Sequence, residues 1–265
     1  MWYKKIFQKM GFTLAEDATH VDMPPIIAKA GFTLAEVLIT LGIIGVVAAM
    51  TIPTLITNVQ KTRTTNELKK AFAEISVAVR LAEGEYGDIT GWTYDTKTSS
   101  AIASAGLFDT YLLPFMKISR REVRGQDLIY YKPNNQRETG LAILRGNSVS
   151  YTLLSGPQMI VSNNSIGAVG GVTNTIGFIL DLNGYETKPN RFGRDAFYVV
   201  IYPTRGVHFL YKDDGEDIGV RRTRQQLING PSGFQYQCNA RGRGMWCGAL
   251  IQKDGWKIAP DYPWN

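Results

Sequence analysis

GFTLAEVLITLGIIGVVAAMTIPTLI, residues 31–56, holds about 20 apolar or small residues in succession and one ionisable side chain, Glu36. No charge follows Glu36 until Lys61. A helix needs ~20 residues to cross a hydrocarbon core, so the run predicts a membrane-spanning helix rather than a buried core helix. A lone carboxylate in such a helix is costly, and by default it is a functional site with a partner.

Gly31, Phe32, Thr33, Leu34, Ala35 and Glu36, followed by this aliphatic run, resemble the cleavage site and first helix of type IV pilins and type II secretion pseudopilins. The resemblance implies that a prepilin peptidase cuts after Gly31 on the cytoplasmic side and methylates the new amino group of Phe32. It also implies that Glu36, then the fifth residue, pairs with the Phe32 amine of a neighbouring subunit during filament assembly. Methylation leaves that amine its positive charge. Two charges, each expensive alone in lipid, then offset one another only when subunits stack in register. Gly45 and Pro53, the fourteenth and twenty-second mature residues, bound the stretch that unwinds in the filaments of similar pilins. Physics points the same way, because an interior proline removes a helix hydrogen bond and glycine weakens a helix by ~1 kcal/mol.

The hexapeptide GFTLAE also occurs at Gly11–Glu16, but Asp17, His20, Asp22, Pro24 and Pro25 follow it. No membrane helix can start there, so this copy reads as a decoy within a cleaved leader of residues 1–31. The leader carries Lys4, Lys5, Lys9 and Lys29 against Glu16, Asp17 and Asp22, a net charge of +1. It has no apolar h-region of its own, unlike a secretory signal peptide, and it is longer than the leaders common among pilins.

The expected organisation is a leader (1–31), a membrane or filament-core helix (32–56), its amphipathic continuation (57–86), and a globular head (87–265) outside the cytoplasm. About 200 residues beyond the span suffice for one well-buried domain. The whole chain carries a net charge of +6, with 20% charged and 44% apolar residues, ordinary globular values. Cys238 and Cys247, the only cysteines, fall in the part that the resemblance places in an oxidising compartment, so a disulfide is expected. The chain's two histidines are His20, in the leader, and His208, which leaves too few ligands for a Cys/His zinc site.

Leu68, Phe72, Ile75, Val79, Ala82 and Tyr86 recur at steps of four and three, one face of a helix. The spacing predicts a continuous helix from about Phe32 to Glu85, ended by Gly84 and Gly87, whose stripe packs on the head. A coiled-coil partner is the alternative use of that stripe. A short helix is expected over Ser104–Met116, ending at Pro114, and an exposed connection over Lys117–Arg137. Strands are expected at Tyr151–Leu154, Gln158–Ser162, Ile176–Leu182, Ala196–Tyr202 and Val207–Lys212, with a hairpin turn at Pro203–Gly206. Short links favour an antiparallel sheet, so the fold class is α+β, a long helix packed on an antiparallel β-sheet head, as the resemblance also implies.

Three groups of polar residues compete for a role. Asp181, Asn183, Asn190 and Asp195 offer hard oxygens among glycines, as calcium requires; some pseudopilins hold calcium in a loop of the head. The same pattern serves a turn-rich loop whose Asp and Asn side chains cap their own backbone. Asp213, Asp214, Glu216 and Asp217 read as a solvated turn. Arg221, Arg222, Arg224, Arg241 and Arg243, with Phe234, Tyr236 and Trp246, form a basic stretch suited to DNA, anionic lipid or an acidic subunit face, or to plain solvated surface.

No GxSxG elbow, P-loop or HExxH occurs, so no enzymatic activity is expected. The resemblance implies a structural subunit of a pilus or secretion pseudopilus, anchored once in a bacterial inner membrane and later drawn into an extracytoplasmic filament. Its partners would be copies of itself or other pilins, the peptidase, an inner-membrane assembly platform and membrane lipid. The alternative is a minor or tip pilin whose head binds DNA or a surface ligand.

Overall fold

The structure is a computed structural model that describes residues 31–93, 101–162, 165–169, 172–210, 222–230 and 235–264. The leader up to residue 30, with its decoy motif, lies outside the described residues, as do Asp213, Asp214, Glu216, Asp217, Arg221 and Phe234. The chain divides into two units, Met1–Ile52 and Pro53–Asn265.

Helix α1 runs Leu34–Tyr86, 53 residues, with Pro53 inside it. In the first unit every large apolar side chain from Phe32 to Ile52 is exposed. Thr40 and Thr51 donate their hydroxyls to the carbonyls of Val37 and Val47, both at 3.0 Å, so these polar side chains are satisfied within the helix itself.

In the second unit α1 changes character. Leu68, Ala71, Ile75, Ala78, Val79 and Ala82 are buried and join the core of the head. The expected stripe is therefore real core packing, with two adjustments. Phe72 is half-buried and stacks on Phe209 at 4.7 Å. Tyr86 is exposed and meets Tyr111 edge-on at 5.3 Å. Gly84 does not end the helix; Gly87 does, with a φ of +79° and its N–H donated to the Glu83 carbonyl at 3.0 Å. A left-handed residue there satisfies a last-turn carbonyl and turns the chain away, at no steric cost to glycine.

Helix α2, Ala101–Leu107, continues through a wider turn, Phe108–Leu112, into a tight turn, Leu113–Phe115. Pro114 thus sits inside the final turn instead of stopping the helix before it. Among the described residues seven strands follow: β1 Ile118–Arg124, β2 Ser148–Leu153, β3 Gln158–Ser162, β4 Ile166–Val169, β5 Val172–Asp181, β6 Ala196–Tyr202 and β7 Gly206–Phe209. Every pairing is antiparallel, in the order β1-β2-β3-β5-β6-β7, with β4 paired to β5 beside that path. Short turns join β2 to β3 and β6 to β7, as antiparallel neighbours allow, whereas longer loops join β1 to β2 and β5 to β6. Pro203–Arg205 close the β6–β7 hairpin, as expected, with Tyr202 opposite Gly206.

The connection expected over Lys117–Arg137 is corrected: its first part is strand β1, an edge strand. Among the described residues its one neighbour is β2, and Arg120, Arg121 and Glu122 are paired with Thr152, Tyr151 and Ser150. Edge strands carry charge to discourage further pairing, and that charge hid the strand. The last expected strand ends at Phe209. β6 is buried at every residue, which marks it as central. Helix α2 lies against β2 and β3, while α4, Cys247–Lys253, lies against β6 and β7 and against the short α3, Arg224–Asn229.

Candidate functional site

The start of α1 is built by two residues, Thr33 and Glu36. Thr33 is the N-cap: the Glu36 N–H donates to its hydroxyl oxygen at 3.2 Å. Glu36 answers by accepting the Thr33 N–H at 2.8 Å and the Thr33 hydroxyl at 2.9 Å, both on Oε2. This is a capping box, in which two groups with no intrahelical partner satisfy each other. The Thr-x-x-Glu spacing was its signal in the sequence, and reading Glu36 only as an intermolecular partner missed it. Phe32 and Glu36 are both exposed. Gly45 and Pro53 both lie within the continuous α1; Pro53 has no N–H for the Ala49 carbonyl, a built-in weak point of the ladder.

The loop between β5 and β6 brings Asp181, Asn190 and Asp195 together, with Asn183 at its exposed rim. Asp181 is fully buried; its Oδ2 accepts the Tyr130 hydroxyl at 2.7 Å and its Oδ1 the Asn183 N–H at 3.3 Å. Burial, reinforced by the nearby Asp195 carboxylate, pushes its pKa up to about 7, against the lowering effect of the Tyr130 bond. Asp195 accepts the N–H groups of Asn190 and Arg191 at 2.8 and 2.6 Å, and burial raises its pKa despite them. The two asparagines turn their amide nitrogens to carbonyls, Asn190 to Tyr185 at 2.8 Å and Asn183 to Thr187 at 3.0 Å.

These contacts make the four residues a clamp on their own loop. Both carboxylates accept N–H and O–H donors and both asparagine amide nitrogens donate to loop carbonyls, while Asn190 Oδ1 is buried with no hydrogen-bond partner; calcium takes six to eight oxygen ligands, and most of the oxygens here are already engaged by the loop. Among the described residues no group of three or more His, Cys, Asp or Glu is placed to hold a metal. The clamp also ties the loop to the chain's end. Tyr262 donates its hydroxyl to the Gly193 carbonyl, and Gly193 lies against the Cys247 sulfur. Cys247 is bonded to Cys238 as the sequence leads one to expect.

Most of the described arginines of the basic stretch are engaged by partners within the head. Arg222 is buried with its guanidinium 4.7 Å from the Trp246 ring centroid. Arg224 pairs with Asp254 at 2.7 Å and with Asp261 at 2.5 Å. Arg243 donates to Gln235 at 2.8 Å and lies 3.5 Å from the buried Glu138. Arg241 is exposed. Local acidic residues, distant in sequence, take up charge that a linear reading counts as free.

Two family models match the chain. One, described as a prokaryotic N-terminal methylation motif, covers residues 27–52. It therefore selects the Gly31 copy of GFTLAE over the Gly11 copy, and with the apolar half of α1 behind it, the one helix among the described residues long and apolar enough to cross a membrane, marks a membrane-anchored type IV pilin-like protein. The other covers residues 54–265 and is described as a family of unknown function, DUF6613. No curated protein and no solved structure matches. The second match takes in the greater part of the chain, which belongs to this family of unknown function, DUF6613, and carries a pilin-type methylation motif directly ahead of the family's region.

Proposed function

We propose that the chain is a structural subunit of a type IV pilus-like filament or type II secretion pseudopilus. In this reading a prepilin peptidase cuts between Gly31 and Phe32, and subunits assemble by packing α1 against the α1 of neighbours. The observation that carries it is the methylation motif over residues 27–52, set on a helix whose apolar side chains from Phe32 to Ile56 are exposed. Such a surface must be covered by lipid or by other helices.

The Glu36 geometry supports the assembly step. Both Thr33 donors converge on Oε2, which leaves Oε1 for the amine of an incoming Phe32. Methylation keeps that amine cationic, so a charge-assisted bond forms only when the neighbouring helix is in register. The Pro53 break in the ladder gives the helix a place to yield as it leaves the bilayer. The head would face away from the cytoplasm, where the Cys238–Cys247 bond persists. The role is structural rather than enzymatic: the cysteines form a crosslink, and His208 is held by the Arg205 carbonyl at 3.0 Å.

The test is incorporation. In cells with an intact assembly machinery, the chain should appear in sheared filaments, and Glu36→Ala should remain in the membrane fraction with its head folded. Equal incorporation of Glu36→Ala would remove the assembly role of Glu36. Failure of the wild-type chain to join any filament would remove the subunit reading.

A further inference from the structure

A groove of about 480 Å³ runs between α1 and the segment after α4, lined on one side by Asn58, Lys61 and Asn66 and on the other by Trp256, Lys257 and Ile258. Its charge is of one sign. Lys61 and Lys257 have no ion-pair partner among the described residues, and no described carboxylate lines the groove. A neighbouring groove differs: it contains Arg63 and Glu67, which neutralise each other at 2.8 Å. Two ammonium groups with side-chain amides beside them are the donor set of a phosphate site.

Trp256 is fixed in place. Its backbone N–H donates to the Ile251 carbonyl at 2.8 Å, and its ring lies 5.8 Å from Phe72 and 6.1 Å from Phe209. It is nonetheless only half-buried. A rigid, partly exposed tryptophan flanked by lysine is the side-chain pair that settles at a membrane–water interface.

The position of the groove along α1 names the ligand. Asn58 and Lys61 come two and five residues after Ile56, the end of the apolar run. At ~1.5 Å per residue, Lys61 is about 8 Å beyond the hydrocarbon edge. The polar layer on each face of a bilayer is roughly 5–8 Å deep. The two lysines therefore meet the level of lipid phosphates.

We propose that this groove binds the headgroup phosphate of an anionic phospholipid, through Lys61 and Lys257, and so sets the height and rotation of the head at the membrane surface. The proposal rests on the membrane-anchored reading of α1. Single-sign charge in a shaped groove recognises the phosphate, and Trp256 and Ile258 offer an apolar wall to the glycerol backbone of a lipid.

The experiment uses the full chain reconstituted in phosphatidylcholine vesicles doped with spin-labelled phosphatidylglycerol or spin-labelled phosphatidylcholine. Electron paramagnetic resonance reads the motionally restricted fraction of each label. Phosphatidylglycerol should be restricted several-fold more than phosphatidylcholine, and the Lys61→Gln, Lys257→Gln double variant should bring the ratio to about one. Neither lysine has a described partner to lose, so the head should keep its near-ultraviolet circular dichroism. A ratio near one in the wild type, or an unchanged ratio in the double variant, overturns the proposal. Displacement of the lipid by free glycerol phosphate would also overturn it, since the site would then take soluble phosphate. A chain that fails to sediment with either vesicle overturns the membrane anchor as well, which separates the two failures.

Discussion

Thr33 and Glu36 hold each other: the Thr33 N–H and hydroxyl both donate to Glu36 Oε2, at 2.8 and 2.9 Å, while the Glu36 N–H donates to the Thr33 hydroxyl oxygen at 3.2 Å. The residue assigned to intermolecular pairing thus also starts its own helix, and a carboxylate facing lipid is never without donors. Thr33→Ala removes the cap acceptor and one of the two donors to Glu36. Amide exchange of residues 34–37, measured by mass spectrometry on the full chain in micelles, should become several-fold faster, with residues 65–82 unaffected. Unchanged exchange in the first turn would show that the box does not hold the helix start.

Cys238 and Cys247 close a loop with a sequence separation of nine. In the chain-entropy model a loop of this size stabilises by about 2–3 kcal/mol. Both cysteines are fully buried beside Trp246, so the Cys238→Ser, Cys247→Ser chain also places hydroxyls in an apolar site. The unfolding free energy of the head, from urea titration, should fall by at least that amount, and reduction of the wild type should reproduce most of the loss.

Gly193 has a φ of +86°, and a Cβ placed on it would meet the Cys247 sulfur at 2.7 Å. Gly193→Ala combines a left-handed strain with a clash against the disulfide, and the sulfur, fixed by its bond to Cys238, cannot swing away. A loss of roughly 2–4 kcal/mol is expected, in line with overpacking plus backbone strain. Ala substitution at Gly156, which also has a positive φ of +115° but open space around it, should cost less. Equal losses at the two sites would show that the contact with the sulfur does not matter.

Asp181 titrates at about 7 in the folded chain and near 3.9 in an unfolded one. Between those values the folded state binds the extra proton, so this residue makes the head progressively less stable as pH rises from about 4 to about 7. The effect is complete above that window and absent below it. Asp195, also raised by burial, adds in the same direction, and Tyr130 remains protonated throughout. Asp181→Asn keeps an acceptor for the Tyr130 hydroxyl and removes the charge. Thermal unfolding followed from pH 4 to 8 should show a flatter profile for the variant; identical slopes would show that Asp181 is not the group responsible.

The parts of the fold legible in the sequence were those with a strong period. The stripe from Leu68 to Ala82 and strands Gln158–Ser162 and Ala196–Tyr202 stand where their apolar spacing puts them, because burial on one or both faces leaves a pattern. β1 escaped for the opposite reason. An edge strand faces solvent, and its arginines and glutamate look like a loop until Val149 and Tyr151 of β2 are seen beside it. Gly84 and Gly87 show another limit: both are candidate stops, and only the backbone angle at Gly87 identifies the true one. The basic stretch shows a third. Arg224 looked free because its partners, Asp254 and Asp261, lie 30 and 37 residues away. The capping box was readable in Thr33 and Glu36, but the same carboxylate already carried an intermolecular assignment.

The second GFTLAE, the one with the apolar helix behind it, is the proposed processing site. Mass spectrometry of the intact chain from cells with an active prepilin peptidase tests it directly. A mature protein beginning at N-methylated Phe32 is expected, with a Gly31→Ala chain retaining its leader. A product beginning at Phe12, or a wild-type chain that keeps residues 1–31 in such cells, would contradict it.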